Sequence, residues 1–298
     1  MLGYQDDYGV IYGGFYSQYI PNLNSWHQVG VQISDVGYVT SYTVEKMPLS
    51  SHWDLNGALK YSTWKDPFFG LGNQTALADK VLVDNRQWTV DIDLKREFRV
   101  DLSVLISVYA VSRKENQSKN TQLFFKDQQL SGVGTGLEWD TRNQIINTQF
   151  GTYAKGKVLR ISQFTKWDLD LRHFWSVQDR TVASRLVVGH IQGDQLPYVL
   201  RYKLGSSNLF LGASENRYNG ASQVVWQQEY RQPFWRFIDI AGFYEFGQVG
   251  QTPSLSDLHS SYGVGFLFRF KESSQGLRFN IGRSGDDSRV SVSFNHVF

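Results

Sequence analysis

The sequence predicts an all-β chain that folds as a transmembrane antiparallel β-barrel of about 16 strands. Apolar and polar residues alternate along most of the 298 residues, as in strands with one lipid-facing and one wet face. Aromatic residues make up 15% of the chain, and its 27 glycines outnumber 6 prolines, which favours many short strands. The closing segment Val290–Phe298 keeps the alternation up to a final aromatic residue, which is typical of the last strand of an outer-membrane barrel. We therefore expect a protein of the Gram-negative outer membrane.

The composition excludes several other classes of protein. No run of about 18 or more apolar residues could cross a bilayer as a helix. Because the chain has no cysteine, disulfide bonds and thiolate sites are excluded, and a net charge of +2 gives no reason to expect a nucleic-acid partner. Met1-Leu-Gly-Tyr4 lacks the features of a secretory signal, which indicates a mature or trimmed chain. With no linker or helical stretch, we expect one barrel domain over residues 1–298.

The strands are predicted wherever apolar residues occupy every second position. The clearest segments, in chain order, are 53–62, 88–95, 100–109, 167–175, 262–271, 277–282 and 290–298. Region 9–45 could hold three strands or four. A large soluble sandwich or propeller remains an alternative, because its strands alternate in the same way. Charged residues at mid-strand, such as Asp91, Asp93, Asp168 and Asp170, favour a charged lumen, where facing Lys and Arg form ladders with them.

The connections between strands are unequal in length, as in a barrel with one tight rim and one rim of long loops. Short turns are predicted at 97–99, 176–181, 232–234 and 271–276. Longer polar connections are predicted at 64–80, 112–131, 193–220 and 248–261.

The segment Leu209–Gly220, followed by Val224–Phe234, carries the most distinctive motifs. It resembles the lumenal loop and following strand of the bacterial surface antigen superfamily, the BamA/TamA-type barrels. The residues on matching positions are Gly212, Arg217, Tyr218, Gly220, Glu229, Tyr230 and Arg231. Further matches in the same order are Phe69–Asn73, Glu138–Arg142 and Phe243–Gly247, so the resemblance covers about residues 65–298. It implies that loop 193–220 folds into the lumen and that Glu245 and Gly247 belong to its anchor on the wall.

Three positions depart from the family pattern. Leu211 stands where the family has the arginine that ties the loop to the wall, and Ala213 replaces the following aromatic residue. Glu245 stands in place of the family's wall aspartate. An arginine inside a barrel needs a carboxylate partner, so we hypothesise that Arg217 pairs with Glu245 or Glu229. The alternative is that Arg217 only lines a wet lumen.

The resemblance implies a non-enzymatic role in inserting or translocating proteins at the outer membrane. The family's device is a weak lateral seam, which here would join Val290–Phe298 to the strand at Gly9–Ile20, with Gly13, Gly14, Phe294 and Phe298 at the seam. The implied partners are outer-membrane lipids and unfolded outer-membrane or secreted clients. The family also carries soluble POTRA domains, and none is expected in this chain. A channel that conducts small solutes past the loop remains the alternative, and so does a self-associating scaffold.

No catalytic or metal site is predicted. Nucleophile elbows, zinc-binding helices, phosphate loops and dinucleotide fingerprints are all missing from the sequence. The six histidines are scattered singly, without metal-like spacing. A phospholipase or protease at the barrel rim would need such groups to meet in space, which sequence cannot show. We therefore expect no enzyme, no cofactor and no metal.

Overall fold

A computed structural model describes residues 2–5, 9–115, 127–144, 147–205, 209–269 and 276–294. Its sixteen wall strands are β1 (Leu2–Gln5), β2 (Gly9–Ile20), β3 (Ser25–Ser34), β4 (Gly37–Ser50), β5 (Trp53–Phe68), β6 (Val81–Arg99), β7 (Leu102–Glu115), β8 (Gln128–Asp140), β9 (Gly151–Ile161), β10 (Phe164–Val177), β11 (Arg180–Gln192), β14 (Ser222–Trp235), β15 (Ile238–Gly250), β16 (His259–Arg269), β17 (Gly276–Ser284) and β18 (Asp287–Phe294). Two further strands, β12 (Tyr202–Leu204) and β13 (Tyr218–Gly220), form a separate hairpin. Short 3-10 turns lie at Pro21–Leu23, Leu77–Asp79 and Tyr198–Leu200. None of the described helices is long and apolar enough to cross a membrane.

The wall strands pair with their chain neighbours in one antiparallel sheet of 16 strands, and β11 pairs with β14 across the inserted hairpin. The first strand, β1, lies beside the last strand, β18, so the sheet curves round on itself. The prediction of an antiparallel barrel of about 16 strands is confirmed. Region 9–45 holds three strands, and a short strand that the sequence did not indicate precedes them.

Side chains alternate between a lipid-facing outer surface and the lumen. On β10 the outer face carries Trp167, Leu171 and Trp175, while Asp168 and Asp170 point inward with their neighbours on β9 and β11. The two tryptophans are eight positions apart, a path of about 26 Å along a strand. At the usual barrel tilt this corresponds to about 20 Å across the membrane, near the height of the apolar band between two aromatic girdles.

The connections fall on two unlike rims. The long-loop rim carries the connections 69–80, 193–221 and 251–258, and the short-turn rim carries turns such as Gln178–Asp179. Residues 116–126 of the predicted connection 112–131 and residues 271–275 of the predicted turn 271–276 lie outside the described residues. Two predicted turns are displaced: the one at 97–99 lies at Val100–Asp101, and the one at 232–234 lies at Arg236–Phe237. In both cases a β-bulge lets the strand run further before it turns. One longer connection, 141–150, lies on the short-turn rim.

Candidate functional site

The loop between β11 and β14 folds back into the barrel. Its hairpin pairs Tyr202 with Gly220 and Leu204 with Tyr218. Beyond the hairpin, the tip carries Phe210, Leu211 and Ala213, all of them fully buried. This position agrees with the lumenal loop implied by the resemblance.

Glu245 on β15 holds the loop tip through the backbone. Its carboxylate accepts N–H bonds from Phe210 at 3.1 Å and from Leu211 at 2.6 Å. The Gln227 amide and the Ser261 hydroxyl, the latter at 2.8 Å, donate to the same carboxylate. A buried carboxylate can remain without a cation when several donors replace its water shell, so Glu245 anchors the loop by hydrogen bonds.

Gly212 lets the tip approach the wall closely. A Cβ atom on Gly212 would lie 2.6 Å from the backbone of Arg283 at the end of β17, which no real side chain tolerates. The Gly212 N–H donates to the Ser261 hydroxyl at 2.9 Å. Two other residues predicted for the anchor are also in tight positions, because a Cβ on Gly220 would meet the backbone of Gly250 and one on Gly247 would meet the ring of Phe210.

Leu211 occupies an apolar pocket in the wall. Its side chain clusters with Phe174 on β10, Ala183 on β11 and Phe243 on β15. The position where the family has an arginine is therefore held here by apolar packing.

The hypothesis that Arg217 pairs with Glu245 or Glu229 is wrong. Its guanidinium donates to the hydroxyl of Thr75 at 3.0 Å and to the backbone oxygen of Thr75. Its nearest carboxylate is Asp287 on β18, at 3.8 Å, and it also lies over the rings of Phe69 and Tyr218. At 3% exposure Arg217 does not line a wet lumen either. Amide and hydroxyl groups donate to the Glu245 carboxylate instead. Arg217 joins the loop to connection 69–80.

Glu229 and Arg231 on β14 belong to a second buried cluster in the wall. Arg278 on β17 makes a bidentate ion pair with Glu229, with N–O distances of 2.9 and 2.7 Å. Arg231 donates to Glu229 at 2.6 Å and to the backbone oxygen of Thr148 at 3.2 Å, which ties connection 141–150 to the wall. Arg278 is not exposed at all. Alternation within the predicted segment 277–282 marks Arg278 as lumenal, but nothing in the sequence indicated its partner.

The last strand also holds the loop. Asp287 accepts the Ser214 N–H at 2.8 Å and the Ser214 hydroxyl at 2.9 Å. Arg289 donates to Glu215 at 2.7 Å. The sequence analysis missed both wall residues, although the alternation of β18 marks them as lumenal.

The predicted seam residues lie elsewhere than expected. Gly13 and Gly14 are on β2, opposite Gln32 and Val31 of β3, and they are not part of the first strand. The strand beside β18 is β1, so the expected partner of the closing strand, Gly9–Ile20, is wrong. On β18, Phe294 is opposite Leu277, and Phe298 lies outside the described residues.

The gap between β1 and β18 is the least paired part of the wall. The β1–β2 ladder runs only from Leu2 opposite Tyr12 to Gln5 opposite Gly9. In the described residues, no backbone ladder joins β1 to β18, and the segment Gly14–Ile20 of β2 has a ladder only with β3. Lumenal side chains of the neighbouring β3, such as Gln28 and Gln32, are exposed. The N-terminal wall is therefore open on its inner face, whereas the loop covers the C-terminal wall.

Charged ladders line the remaining lumen. Asp93 contacts Lys155 at 2.9 Å and Lys157 at 2.8 Å, and Asp170 contacts Arg172 and Arg185. In the parts of the chain that the structure describes, no group of His, Asp and Glu is arranged to hold a metal ion.

The sequence matches no protein-family model and no curated protein at a significant score. Solved structures share the architecture at low sequence identity. BamA from Haemophilus ducreyi lacking POTRA domains 1-3 aligns with a TM-score of 0.69 at 11% identity, over 99% of this chain and 69% of that one. CdiB from Escherichia coli (TM-score 0.67, 11% identity) and CdiB from Acinetobacter baumannii (0.64, 15%) each align over 99% of this chain, which spans 62% and 58% of theirs. The chain thus has the fold of a BamA-type and CdiB-type outer-membrane β-barrel.

Proposed function

We propose that this chain inserts or translocates polypeptides at the outer membrane through the gap between β1 and β18, without enzymatic chemistry. The observation that carries the proposal is that, among the described residues, no backbone ladder joins β1 to β18. Strand edges that lack a ladder offer backbone N–H and C=O groups to another strand. A client strand would satisfy these groups by β-augmentation. The fold shared with BamA supports the same role.

The membrane increases the tendency of such a strand edge to pair with another strand. In lipid, a backbone group without a partner is destabilising by several kcal/mol, because no water can replace the partner. An open edge at this depth therefore favours any strand that pairs with it. Outer-membrane lipids surround the barrel, and the clients are unfolded outer-membrane or secreted proteins.

The two sides of the gap differ in the contacts that hold them. On the β18 side, Asp287 and Arg289 are bonded to Ser214 and Glu215 of the loop. On the β1 side, lumenal side chains of β3 such as Gln28 and Gln32 are exposed. We infer that the N-terminal strands move when a client enters, while the C-terminal wall and the loop stay together.

A disulfide across the gap tests the proposal. The chain contains no cysteine, so an introduced pair is the only pair present. We would join Tyr4 on β1 to Val290 or Val292 on β18 by paired cysteine substitutions, and reconstitute the protein in liposomes. The folding rate of a small outer-membrane barrel is then measured with and without it. We expect faster folding with the reduced protein, loss of that effect on oxidation, and recovery on reduction.

The matched control is the pair I281C and V290C, which are direct partners within the β17–β18 ladder. This disulfide does not cross the gap, so acceleration should survive its oxidation. Absence of acceleration by the wild-type chain would exclude the insertion role. Acceleration that persists with the locked gap would place client entry elsewhere.

A second candidate function is an outer-membrane channel. It is favoured by the exposed lumenal face of β3, where Gln28 and Gln32 are not covered. Steady ion conductance in planar bilayers, together with no effect on client folding, would support this function over the first.

A further inference from the structure

A cavity of about 550 Å³ lies in the lumen, next to the inner surface of the loop. Its walls come from β6, β7, β9, β10, β11 and β14, and residues 199–203 of the loop close one side. The volume is in the range of small-molecule sites in proteins. The cavity lies away from the gap between β1 and β18, and the inference below does not rest on the proposed function.

Basic side chains outnumber acidic ones around this cavity. Six basic residues line it, against three carboxylates: the basic ones are Lys155, Lys157, Lys166, Arg185, Arg201 and Lys203, and the acidic ones are Asp91, Asp168 and Asp170. Four of the basic residues, all on wall strands, have an acidic partner. Lys155 and Lys157 contact Asp93, Lys166 contacts Asp168 at 3.4 Å, and Arg185 contacts Asp170 at 2.8 Å.

The two basic residues on the loop differ from the other four. In the described chain, neither Arg201 nor Lys203 makes an ion pair. The buried Nε of Arg201 has no hydrogen-bond partner there. The ammonium group of Lys203 lies 4.2 Å from the centre of the Tyr198 ring, a contact that stabilises the charge without neutralising it. Alternate residues of an extended segment point the same way, so both cations are presented on one side of the loop.

We propose that this lumenal cavity is a binding site for a small molecule carrying an oxyanion group, held by Arg201 and Lys203. The guanidinium offers a planar fork of donors to a phosphate or carboxylate, and the ammonium adds a point charge. The surplus of positive charge inside a cavity concentrates anions from the bulk. An oxyanion would also give the Nε of Arg201 the partner that the chain does not supply.

Titration calorimetry on the full-length, detergent-folded barrel tests the proposal, with inorganic pyrophosphate and citrate as probes. We expect saturable binding of at least one probe, and comparison of the two separates phosphate from carboxylate recognition. Because a hydrogen bond to a charged group contributes about 1.5–3 kcal/mol, Arg201→Gln and Lys203→Gln should each weaken binding by about tenfold or more. Arg201→Lys, which retains the charge but loses the fork, should lie between wild type and Arg201→Gln.

The control is Arg180→Gln, which removes the same charge from an exposed position on the short-turn rim. It should leave the affinity unchanged. Heat-modifiable gel migration confirms that each variant is folded before titration. Failure of both probes to bind the folded wild-type chain would overturn the proposal, and so would equal weakening by Arg180→Gln and Arg201→Gln.

Discussion

Leu211 shows how a single side chain changes the way a loop is held. An arginine at this position would need a carboxylate partner. The carboxylate of Glu245 instead accepts bonds from two backbone N–H groups of the loop. The leucine packs between Phe174, Ala183 and Phe243, where burial of apolar surface replaces an ion pair. Backbone hydrogen bonds do not depend on side-chain identity, so the tip of the loop keeps its place although the arginine is gone.

The buried pair of Glu229 and Arg278 gives a prediction at the residue scale. A buried charge left without compensation is destabilising by about 3–5 kcal/mol. Arg278→Met removes two of the bonds to Glu229 but leaves Arg231 as a partner. We therefore expect it to lower the free energy of unfolding by less than that amount, in urea titrations followed by gel mobility. The control is Arg283→Met on the same strand, where the side chain is exposed and bonds only to a turn carbonyl. An equal effect of the two substitutions would contradict a special role of the cluster.

Lys203 gives a prediction on pH. Burial lowers its pKa to about 8; Asp66 and Glu215 act in the opposite direction, and Arg113 and Lys60 add to the lowering. The charged form that binds an anion is present below this pKa and is lost as the pH rises through it. Pyrophosphate affinity should therefore fall between about pH 7 and about pH 9. Lys203→Arg stays charged throughout, so it corrects for ionisation of the probe, and a fall of the same size in this variant would refute the assignment.

At the scale of elements, the tip of the loop can be deleted without interrupting a wall strand. Leu204 and Tyr218 are direct partners in the hairpin, so a two-residue turn can join them in place of residues 205–217. Without the tip, the space beside the C-terminal wall opens, and we expect higher single-channel conductance in planar bilayers. Shortening connection 251–258, most of whose residues are exposed, is the control. Unchanged conductance after removal of the tip would mean that the loop is not the barrier.

Alternation predicted the faces of the strands because it reflects a local property of extended backbone. Asp93 and Asp170 were placed in the lumen for that reason. The sequence did not predict the four-residue β1, which is too short to show a pattern, or the partners of Arg217. Its contact with Thr75 joins residues 142 positions apart. Several carboxylates could have met this arginine, and only the curvature of the barrel decides which groups do.

At the scale of the whole molecule, the orientation of the barrel in the membrane can be tested on one strand. Leu171 lies near the middle of the outer face of β10, and Val177 lies at its end on the short-turn rim. A lysine at the bilayer midplane is destabilising by about 2–4 kcal/mol, and by about 0–1 near the interface. We expect Leu171→Lys to lower the stability of the liposome-folded barrel much more than Val177→Lys. Equal effects would contradict the assigned depth.

The contacts of the loop also bear on the order of folding. Arg217 bonds to Thr75, which lies 142 residues earlier in the chain. Ser214 bonds to Asp287 on the last strand, which lies 73 residues later. Contacts between such distant parts of a chain form slowly, because the intervening segments must be ordered first. The loop can complete its bonds only after the final hairpin has joined the sheet. Its docking therefore marks the end of assembly, and a chain that stops short of β18 leaves Ser214 without its partner.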